Sequence, residues 1–344
     1  MKFPIYRRPG GVVFLDDDLA YLEMLAEVMP EHWPVRLFTR PSDCIRYLEP
    51  EPALQEADHW RHKDILDRWH QGQSLIAQIL AYWREAGSWR FGLSQVCVVD
   101  YSMPAMNGLQ VLEELAGWPG ARVLLTGRAD EQIAVQAFNA SLIEQYVPKQ
   151  ASEISRRLAG SIQRLLDDAS GLHAQAWRAS LTREQMAVIS TPQIGRQLQA
   201  LAEQHRWVEH VVIGDPFGVL ALDDAGQAAW LQLEHLSRLD ELAELGASAG
   251  IDSSDLARVR SGDSLFDGEF QLAIGSDRGG LVKAVSLGHG VLAALSAVPP
   301  SLCPGPDQGY ACFLREKSER PIDDITPVSP LAAQTTSSAP RPAA

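Results

Sequence analysis

Residues 96–100 read VCVVD, a run of four apolar residues that ends in a carboxylate. A short continuous apolar run predicts a strand buried on both faces, as in a parallel sheet. The residues that follow, YSMP at 101–104 and NG at 107–108, predict a turn. In open α/β sheets the ligand crevice lies outside the carboxyl ends of the strands. We therefore expect Asp100 to stand at the functional edge of a parallel sheet.

Three other apolar runs end in polar residues that would reach the same edge. These runs span residues 11–15, 121–125 and 142–147. Taken in chain order, the polar residues at all four strand ends are Asp16, Asp17, Asp100, Thr126 and Lys149.

This set of groups suits phosphoryl transfer. A carboxylate such as Asp100 can attack phosphorus, while a lysine neutralises charge on the transferring oxygens. The acid pair at 16–17 can hold a hard cation, and Mg²⁺ fits because it prefers a few carboxylates with water and phosphate oxygens. Singly, each residue has an ordinary structural explanation, such as a helix cap or a solvated surface charge. Their joint order and spacing favour a site.

Residues 10–168 resemble the receiver domains of two-component response regulators. The resemblance rests on the acidic pair, the D-x-x-x-P turn at 100–104 with Gly108 after it, the LTG segment at 125–127 and Y-x-x-K at 146–149. It implies an α/β fold: a doubly wound, flavodoxin-like five-stranded parallel sheet with strand order 2-1-3-4-5. The haloacid dehalogenase-like phosphatases also use an Asp nucleophile, but their second Asp lies two residues further on, where this chain has Ser102.

The resemblance also implies a phosphoacceptor and a metal site. Asp100 would accept the phosphoryl group from a histidine kinase or a histidine phosphotransfer protein. Asp17 and Asp100 would ligate Mg²⁺, Asp16 would help through water, and Ser102 would contribute its backbone carbonyl.

The remaining residues of the resemblance imply a switch. Thr126 would turn its hydroxyl toward the phosphoryl group, Tyr146 would swing into the space that Thr126 leaves, and Lys149 would pair with the phosphoryl oxygens. The chain departs from the family at one point, because Gln150 follows the lysine where the family usually has proline, and Pro148 precedes it.

The receiver pattern is interrupted between its second helix and its third strand. A strand at 35–38 and a helix at 41–48 are predicted, but the third strand starts only at 95, so residues 50–94 are an insertion. Apolar residues recur there at helical spacing and break near Gly72, which predicts a helical hairpin. Its tryptophans could serve an interface or simply pack on the receiver core. These tryptophans are Trp60, Trp69, Trp83 and Trp89.

The rest of the chain follows the receiver, which we place at residues 1–168. We predict a helical linker over 169–207, a smaller α+β output domain of unrecognised type over 208–318, and a disordered tail over 319–344, where Pro, Ser, Thr and Ala dominate. Within the output domain the predicted strands span 210–213, 219–222, 270–274 and 281–287, and the predicted helices span 236–245 and 253–259.

Composition limits the classes of function. With 344 residues, of which 46% are hydrophobic, the chain is long enough for two globular domains. A net charge of -14 and the absence of a helix-turn-helix or zinc-finger pattern make DNA binding an unfavoured prediction. No apolar run has the length of a membrane span, so we expect a cytoplasmic protein. The four cysteines lack C-x-x-C spacing, and no disulfide is expected.

The predicted function is that of a phosphorelay response regulator with a protein-interaction output. Its downstream partner is an unknown protein, and a homodimer is possible by analogy with the family. No enzymatic activity is recognised beyond the receiver's own phosphotransfer and dephosphorylation. Two alternatives remain open: a phosphorylation-independent scaffold, and an enzyme that carries its activity in residues 208–318 and is regulated by the receiver.

Overall fold

The computed structural model describes residues 2–127, 131–151, 153–169, 171–318 and 321–326. The strands are β1 (Tyr6–Arg7), β2 (Gly11–Leu15), β3 (Val35–Phe38), β4 (Ser94–Asp100), β5 (Ala121–Thr126), β6 (Gln145–Pro148), β7 (Trp207–Gly214), β8 (Phe217–Asp223), β9 (Ala228–His235), β10 (Ser264–Phe266), β11 (Leu281–Gly288) and β12 (Val291–Ala297). The α-helices are α1 (Leu19–Val28), α2 (Pro41–Leu48), α3 (Glu51–His70), α4 (Leu75–Ala86), α5 (Gly108–Glu114), α6 (Glu131–Asn139), α7 (Ile154–Ala169), α8 (Gly171–Trp177), α9 (Arg183–Ser190), α10 (Pro192–Gln204), α11 (Leu239–Ser248), α12 (Ser253–Arg260), α13 (Gly268–Ala273) and α14 (Tyr310–Ser318). Within the described ranges, no helix combines the length and the apolar character that crossing a membrane requires.

These elements form two compact units. Among the described residues, the parallel-sheet unit comprises 9–60, 86–171 and 312–326, and the antiparallel-sheet unit comprises 2–8, 61–85 and 172–311. The division differs from the boundaries expected from sequence, which placed residues 1–168 in one domain. It falls inside α3 and assigns the N-terminal residues to the antiparallel-sheet unit. Strand β1 belongs there since Tyr6 pairs with Val211 and Arg7 with His210. A two-residue strand carries no periodicity that would reveal its sheet.

The parallel-sheet unit has the strand order β3-β2-β4-β5-β6, and every neighbouring pair is parallel. This confirms the predicted flavodoxin-like order 2-1-3-4-5. Alternate residues of each strand point to opposite faces. In β2, Val12 and Phe14 pack with α1 and α7, whereas Val13 and Leu15 pack with α2, α5 and α6. Burial on both faces explains why these strands read as unbroken apolar runs.

The insertion is the predicted helical hairpin. Helices α3 and α4 are separated by a turn in which Gly72 has a φ of +94°, a conformation that favours glycine. The tryptophans of the insertion differ in burial. Trp89 is 8% exposed and packs in the hydrophobic core of the parallel-sheet unit, whereas Trp60 is 58% exposed.

Glu51, the first residue of α3, links the start of the insertion to the amino end of β4 by hydrogen bonds. Its carboxylate accepts hydrogen bonds from the backbone N of Ser94 at 3.0 Å, from Ser94 Oγ at 2.7 Å and from Trp118 Nε1 at 3.0 Å. Burial raises the pKa of Glu51 to about 7, although the bonds from Ser94 and Trp118 act in the opposite direction. The carboxyl group therefore protonates near neutral pH.

This carboxyl group makes stability depend on pH. The folded chain binds the Glu51 proton more tightly than the unfolded chain, so its contribution is complete below the ordinary pKa of 4.5 and is lost as pH rises through about 7. Between about pH 5 and about pH 8, we expect the wild-type free energy of unfolding to fall by roughly 2 to 3 kcal/mol more than that of Glu51→Gln, which has no proton to release. Urea titrations would measure this difference. The exposed Glu49→Gln should follow the wild type; parallel profiles for wild type and Glu51→Gln would contradict the prediction.

The antiparallel-sheet unit has the strand order β1-β7-β8-β9-β12-β11-β10. Helices α9 and α10 pack on one face, and α11 and α12 pack on the other. The strands predicted at 210–213 and 219–222 are confirmed as parts of β7 and β8, which pair as a hairpin, and the helices predicted at 236–245 and 253–259 are confirmed, with bounds within three residues, as α11 and α12. Strand β12, which pairs with β9 and β11, was not predicted from the sequence.

One predicted strand of this unit is wrong. Residues 268–273 form helix α13, in which Phe270 is buried and Leu272 is 75% exposed. The strand predicted at 281–287 is confirmed as β11, which pairs with β10 and β12. A short apolar run is compatible with either a strand or a helix, so periodicity could not separate the two at this length.

The predicted disordered tail is also wrong in part. Residues 321–326 lie against the parallel-sheet unit, where Asp323 accepts a hydrogen bond from the backbone N of Thr39 at 2.6 Å. Composition predicted no order here because few apolar side chains are present, but hydrogen bonds and ion pairs hold the segment. The rest of the predicted tail, residues 319–320 and 327–344, lies outside the described residues.

Candidate functional site

The polar residues at the four strand ends meet at the carboxyl edge of the parallel sheet. Lys149 Nζ lies 2.7 Å from Asp16 Oδ2 and 2.9 Å from Asp100 Oδ1. Asp16, Asp17 and Asp100 each place a carboxylate oxygen within 4.8 Å of the others. Asp16 and Asp100 are buried, and Asp17 is exposed. The edge is thus a small acidic pocket with one fixed cation and one open side.

The three consecutive aspartates after β2 have three different surroundings. Asp18 caps α1, since its side chain accepts a hydrogen bond from the backbone N of Tyr21 at 3.1 Å. Asp16 turns inward, and its Oδ1 accepts from the backbone N of Asp18 at 3.0 Å. Asp17, between them, contributes an exposed carboxylate to the pocket. Helix capping and an acidic site, which the sequence left as alternatives, therefore occur in the same run.

The turn after Asp100 requires glycine at position 108. The backbone N of Gly108 donates to the carbonyl of Tyr101 at 3.0 Å, and a Cβ on Gly108 would come within 2.3 Å of the Asp100 carbonyl oxygen. Helix α5 begins at this glycine and can therefore start directly against the end of β4. Ser102 lies within the turn, with an exposed side chain. The G in the turn motif thus marks a close approach of two backbone segments.

Burial and charge shape the titration of this pocket. Burial raises the pKa of Asp16, although the hydrogen bonds from Lys149 and Asp18 act to lower it. Burial would lower the pKa of Lys149, but its hydrogen bonds to Asp16 and Asp100, together with their charges, outweigh burial and raise it. Lys149 is therefore an ammonium ion at neutral pH. A further cation in the pocket would relieve the cost of keeping Asp16 ionised.

Tyr21 is a pocket residue that the sequence did not reveal. The Lys149 ammonium lies 4.8 Å from the centroid of its ring, within range of a cation–π contact. Burial raises the pKa of the Tyr21 hydroxyl. Its position in the first turn of α1 resembles that of any helix residue, so no signal in the sequence could have singled it out.

Thr126 and Tyr146 lie in contrasting environments. Thr126 is fully buried, and its hydroxyl has no hydrogen-bond partner among the described residues. Tyr146 is 38% exposed. The backbone N of Lys149 donates to the Thr126 carbonyl at 2.8 Å, which fixes the ends of β5 and β6 relative to each other. A buried hydroxyl without a hydrogen-bond partner costs stability, so a ligand that brings an oxygen atom to this position would remove that cost by accepting its hydrogen bond.

The parallel-sheet unit has the flavodoxin-like α/β fold, with an acidic pocket and a lysine at the carboxyl edge of its sheet. The chain as a whole is similar to the structure of the Legionella pneumophila response regulator LqsR, with a TM-score of 0.65 and 20% identity over 92% of this chain and 97% of that one. At that identity, the similarity shows a shared fold.

Other similar structures match about half of the chain. The signal receiver domain of a putative Luxo repressor protein from Vibrio parahaemolyticus is 15% identical over 47% of this chain and 93% of that one, with a TM-score of 0.33. A response regulator receiver domain protein from Clostridium thermocellum is 15% identical over 47% of this chain and 98% of that one, with a TM-score of 0.30. No family model matches the chain, and neither does any curated protein.

Proposed function

We propose that this protein is a response regulator that accepts a phosphoryl group on Asp100. The observation that carries the proposal is the position of Lys149 Nζ, 2.7 Å from Asp16 and 2.9 Å from Asp100. A lone carboxylate at a strand end would suit many roles. A carboxylate paired with a fixed ammonium ion, beside two further acids, suits phosphoryl transfer in particular.

The acidic pocket fits Mg²⁺. Asp16, Asp17 and Asp100 supply hard oxygen ligands that lie within 4.8 Å of one another, and the exposed Asp17 leaves a side open to water. We assign Asp17 and Asp100 as direct ligands, Asp16 as a ligand through water, and the Ser102 carbonyl as a further ligand. When bound, Mg²⁺ neutralises charge on the phosphoryl oxygens.

The transfer exchanges one bond to phosphorus for another. An oxygen of Asp100 attacks the phosphorus of a phosphohistidine, the P–N bond breaks, and the leaving imidazole takes a proton from water. Lys149 then moves its hydrogen bond from the Asp100 carboxylate to a phosphoryl oxygen. The buried Thr126 hydroxyl donates to another phosphoryl oxygen and gains the partner that it lacks among the described residues.

The movement of Thr126 is proposed to act as the switch. Space that Thr126 leaves can receive Tyr146, whose ring is now 38% exposed, and this changes the surface around β6. The donor is a histidine kinase or a histidine phosphotransfer protein. The changed surface is read by an unknown downstream protein or a second copy of the chain in the cytoplasm, and DNA is disfavoured by the net charge of -14.

Beryllofluoride, which mimics a phosphoryl group on a carboxylate, tests the proposal on the full chain. We expect ¹⁹F resonances of bound beryllofluoride only when Mg²⁺ is also present, since the three carboxylates alone repel the anion. Amide exchange at residues 145–147 and at Lys149 should slow at the same time. Asp18→Asn, which keeps the helix cap, should behave like the wild type. A folded wild-type chain that shows no bound ¹⁹F signal at saturating Mg²⁺ would remove the basis for the proposal.

A further inference from the structure

The segment 321–326 makes specific contacts with the end of β3, an edge strand of the parallel sheet. Thr39 directs two hydrogen bonds at the carboxylate of Asp323, from its backbone N at 2.6 Å and from its Oγ1 at 2.6 Å. The backbone N of Asp323 donates in return to the carbonyl of Leu37 at 3.1 Å. One aspartate is therefore held by three hydrogen bonds, through both its side chain and its backbone.

The next aspartate pairs with a buried cation. Arg36 is 6% exposed, and its Nη1 lies 3.4 Å from Asp324 Oδ2. Among the described residues, its Nε and Nη2 have no hydrogen-bond partner, and its guanidinium carbon lies 5.6 Å from the centroid of the Tyr47 ring. A guanidinium with so little access to water needs an anion nearby. Asp324 supplies that anion.

An apolar residue completes the contact. Ile325 is partly buried and packs against the hydrophobic core that contains Phe38 and Tyr47. The receiving surface thus offers three different features in order: hydrogen-bond donors and an acceptor for the first acid, a guanidinium for the second acid, and apolar side chains for the third residue. Such ordered chemistry distinguishes a recognition site from a generally basic surface.

We propose that Arg36, Leu37 and Thr39 form a binding site for an Asp-Asp-apolar peptide, and that residues 323–325 of this chain occupy it in cis. The site does not depend on phosphorylation. Only two residues of sequence separate the end of α14 at Ser318 from Pro321. A short tether gives the segment a high effective concentration, so an acidic segment of another protein binds only by displacing it.

The site adjoins the acidic pocket through a backbone hydrogen bond. The backbone N of Asp16 donates to the carbonyl of Phe38 at 3.1 Å, and Phe38 lies between Leu37 and Thr39. The bound segment also covers part of β3. Because β3 is an edge strand, its backbone polar groups could otherwise pair with a strand of another chain.

Hydrogen exchange of the Thr39 amide in the full chain tests the site. This amide is the donor to Asp323, so we expect Asp323→Ala to speed its exchange by about tenfold or more. Asp307→Ala, at an exposed aspartate of the antiparallel-sheet unit, should leave it unchanged. Equal exchange in the wild type and Asp323→Ala would overturn the proposal, as would equal acceleration in the Asp307→Ala control.

A peptide supplied in trans tests whether the site is a true ligand site. In the doubly substituted chain, Asp323→Ala with Asp324→Ala, the synthetic peptide PIDDIT should restore slow exchange at Thr39. The matched peptide PINNIT keeps the length and the isoleucines but lacks the carboxylates, and it should not. Failure of PIDDIT to restore protection, or equal restoration by PINNIT, would overturn the proposal. Neither experiment contains Mg²⁺ or a phosphoryl donor, so its outcome is independent of the proposed function.

Discussion

Asp100→Asn is expected to take up no phosphoryl group from acetyl phosphate or phosphoramidate and to bind no beryllofluoride. The amide is nearly isosteric with the carboxylate but is a far weaker nucleophile, and the substitution also removes one of the three acids that are proposed to hold Mg²⁺. Asparagine can still accept a hydrogen bond from Lys149, which in the wild type lies 2.9 Å from Asp100 and 2.7 Å from Asp16. The variant should therefore fold, and intact-mass spectrometry after incubation with the donor would measure the loss of labelling.

The control for this result is Asp18→Asn. Asp18 belongs to the same acidic run but caps α1 and is not part of the carboxylate cluster, and asparagine is an equally good cap. We expect this variant to be labelled like the wild type. Labelling of Asp100→Asn at the wild-type level would show that another residue accepts the phosphoryl group, and Asp100 would lose its assigned role.

The parallel sheet could be predicted because its signals are local. The run from Val96 to Val99 is buried on both faces, so each residue had to be apolar, and the carboxylate after it had to lie at the carboxyl edge. The same rule predicted that Lys149 lies near Asp100. Asp100 ends β4, Lys149 follows β6, and only β5 lies between these two parallel strands. The roles assigned to these residues remain predictions.

Features that depend on distant pairing could not be predicted in this way. Strand β1 is two residues long, and its pairing with Val211 and His210 spans most of the chain. Residues 321–326 have the composition of a disordered segment, and their order comes from Arg36 and Thr39, which lie 288 and 284 positions before their partners. Helix α13 was assigned as a strand because so short a run fits either period. For β1 and for residues 321–326, the deciding contacts are made with residues too far away in the sequence for a local pattern to reveal them.

Lys149→Ala is expected to separate Mg²⁺ binding from phosphoryl transfer. Without the ammonium ion, the carboxylates of Asp16 and Asp100 lose the cation that compensates their burial, so their attraction for a metal ion rises. The transferring oxygens, in contrast, lose a fixed positive charge. Removing such a group typically lowers a rate by about 10²- to 10³-fold. The variant should therefore bind Mg²⁺ at least as tightly as the wild type while it is labelled far more slowly.

Two measurements on the same preparation would test this separation. Isothermal titration would give the Mg²⁺ affinity, and the initial rate of labelling by phosphoramidate at saturating Mg²⁺ would give the transfer step. Lys283→Ala, on strand β11 of the antiparallel-sheet unit, is the matched control and should change neither value. Thermal unfolding would provide a third measurement. We expect Lys149→Ala to be less stable than the wild type in EDTA and to regain most of the lost stability when Mg²⁺ is added, because either cation can compensate the charge of Asp16. A parallel loss of metal affinity and transfer rate would instead mean that Lys149 only holds the pocket together, and its proposed contact with the phosphoryl oxygens would be wrong.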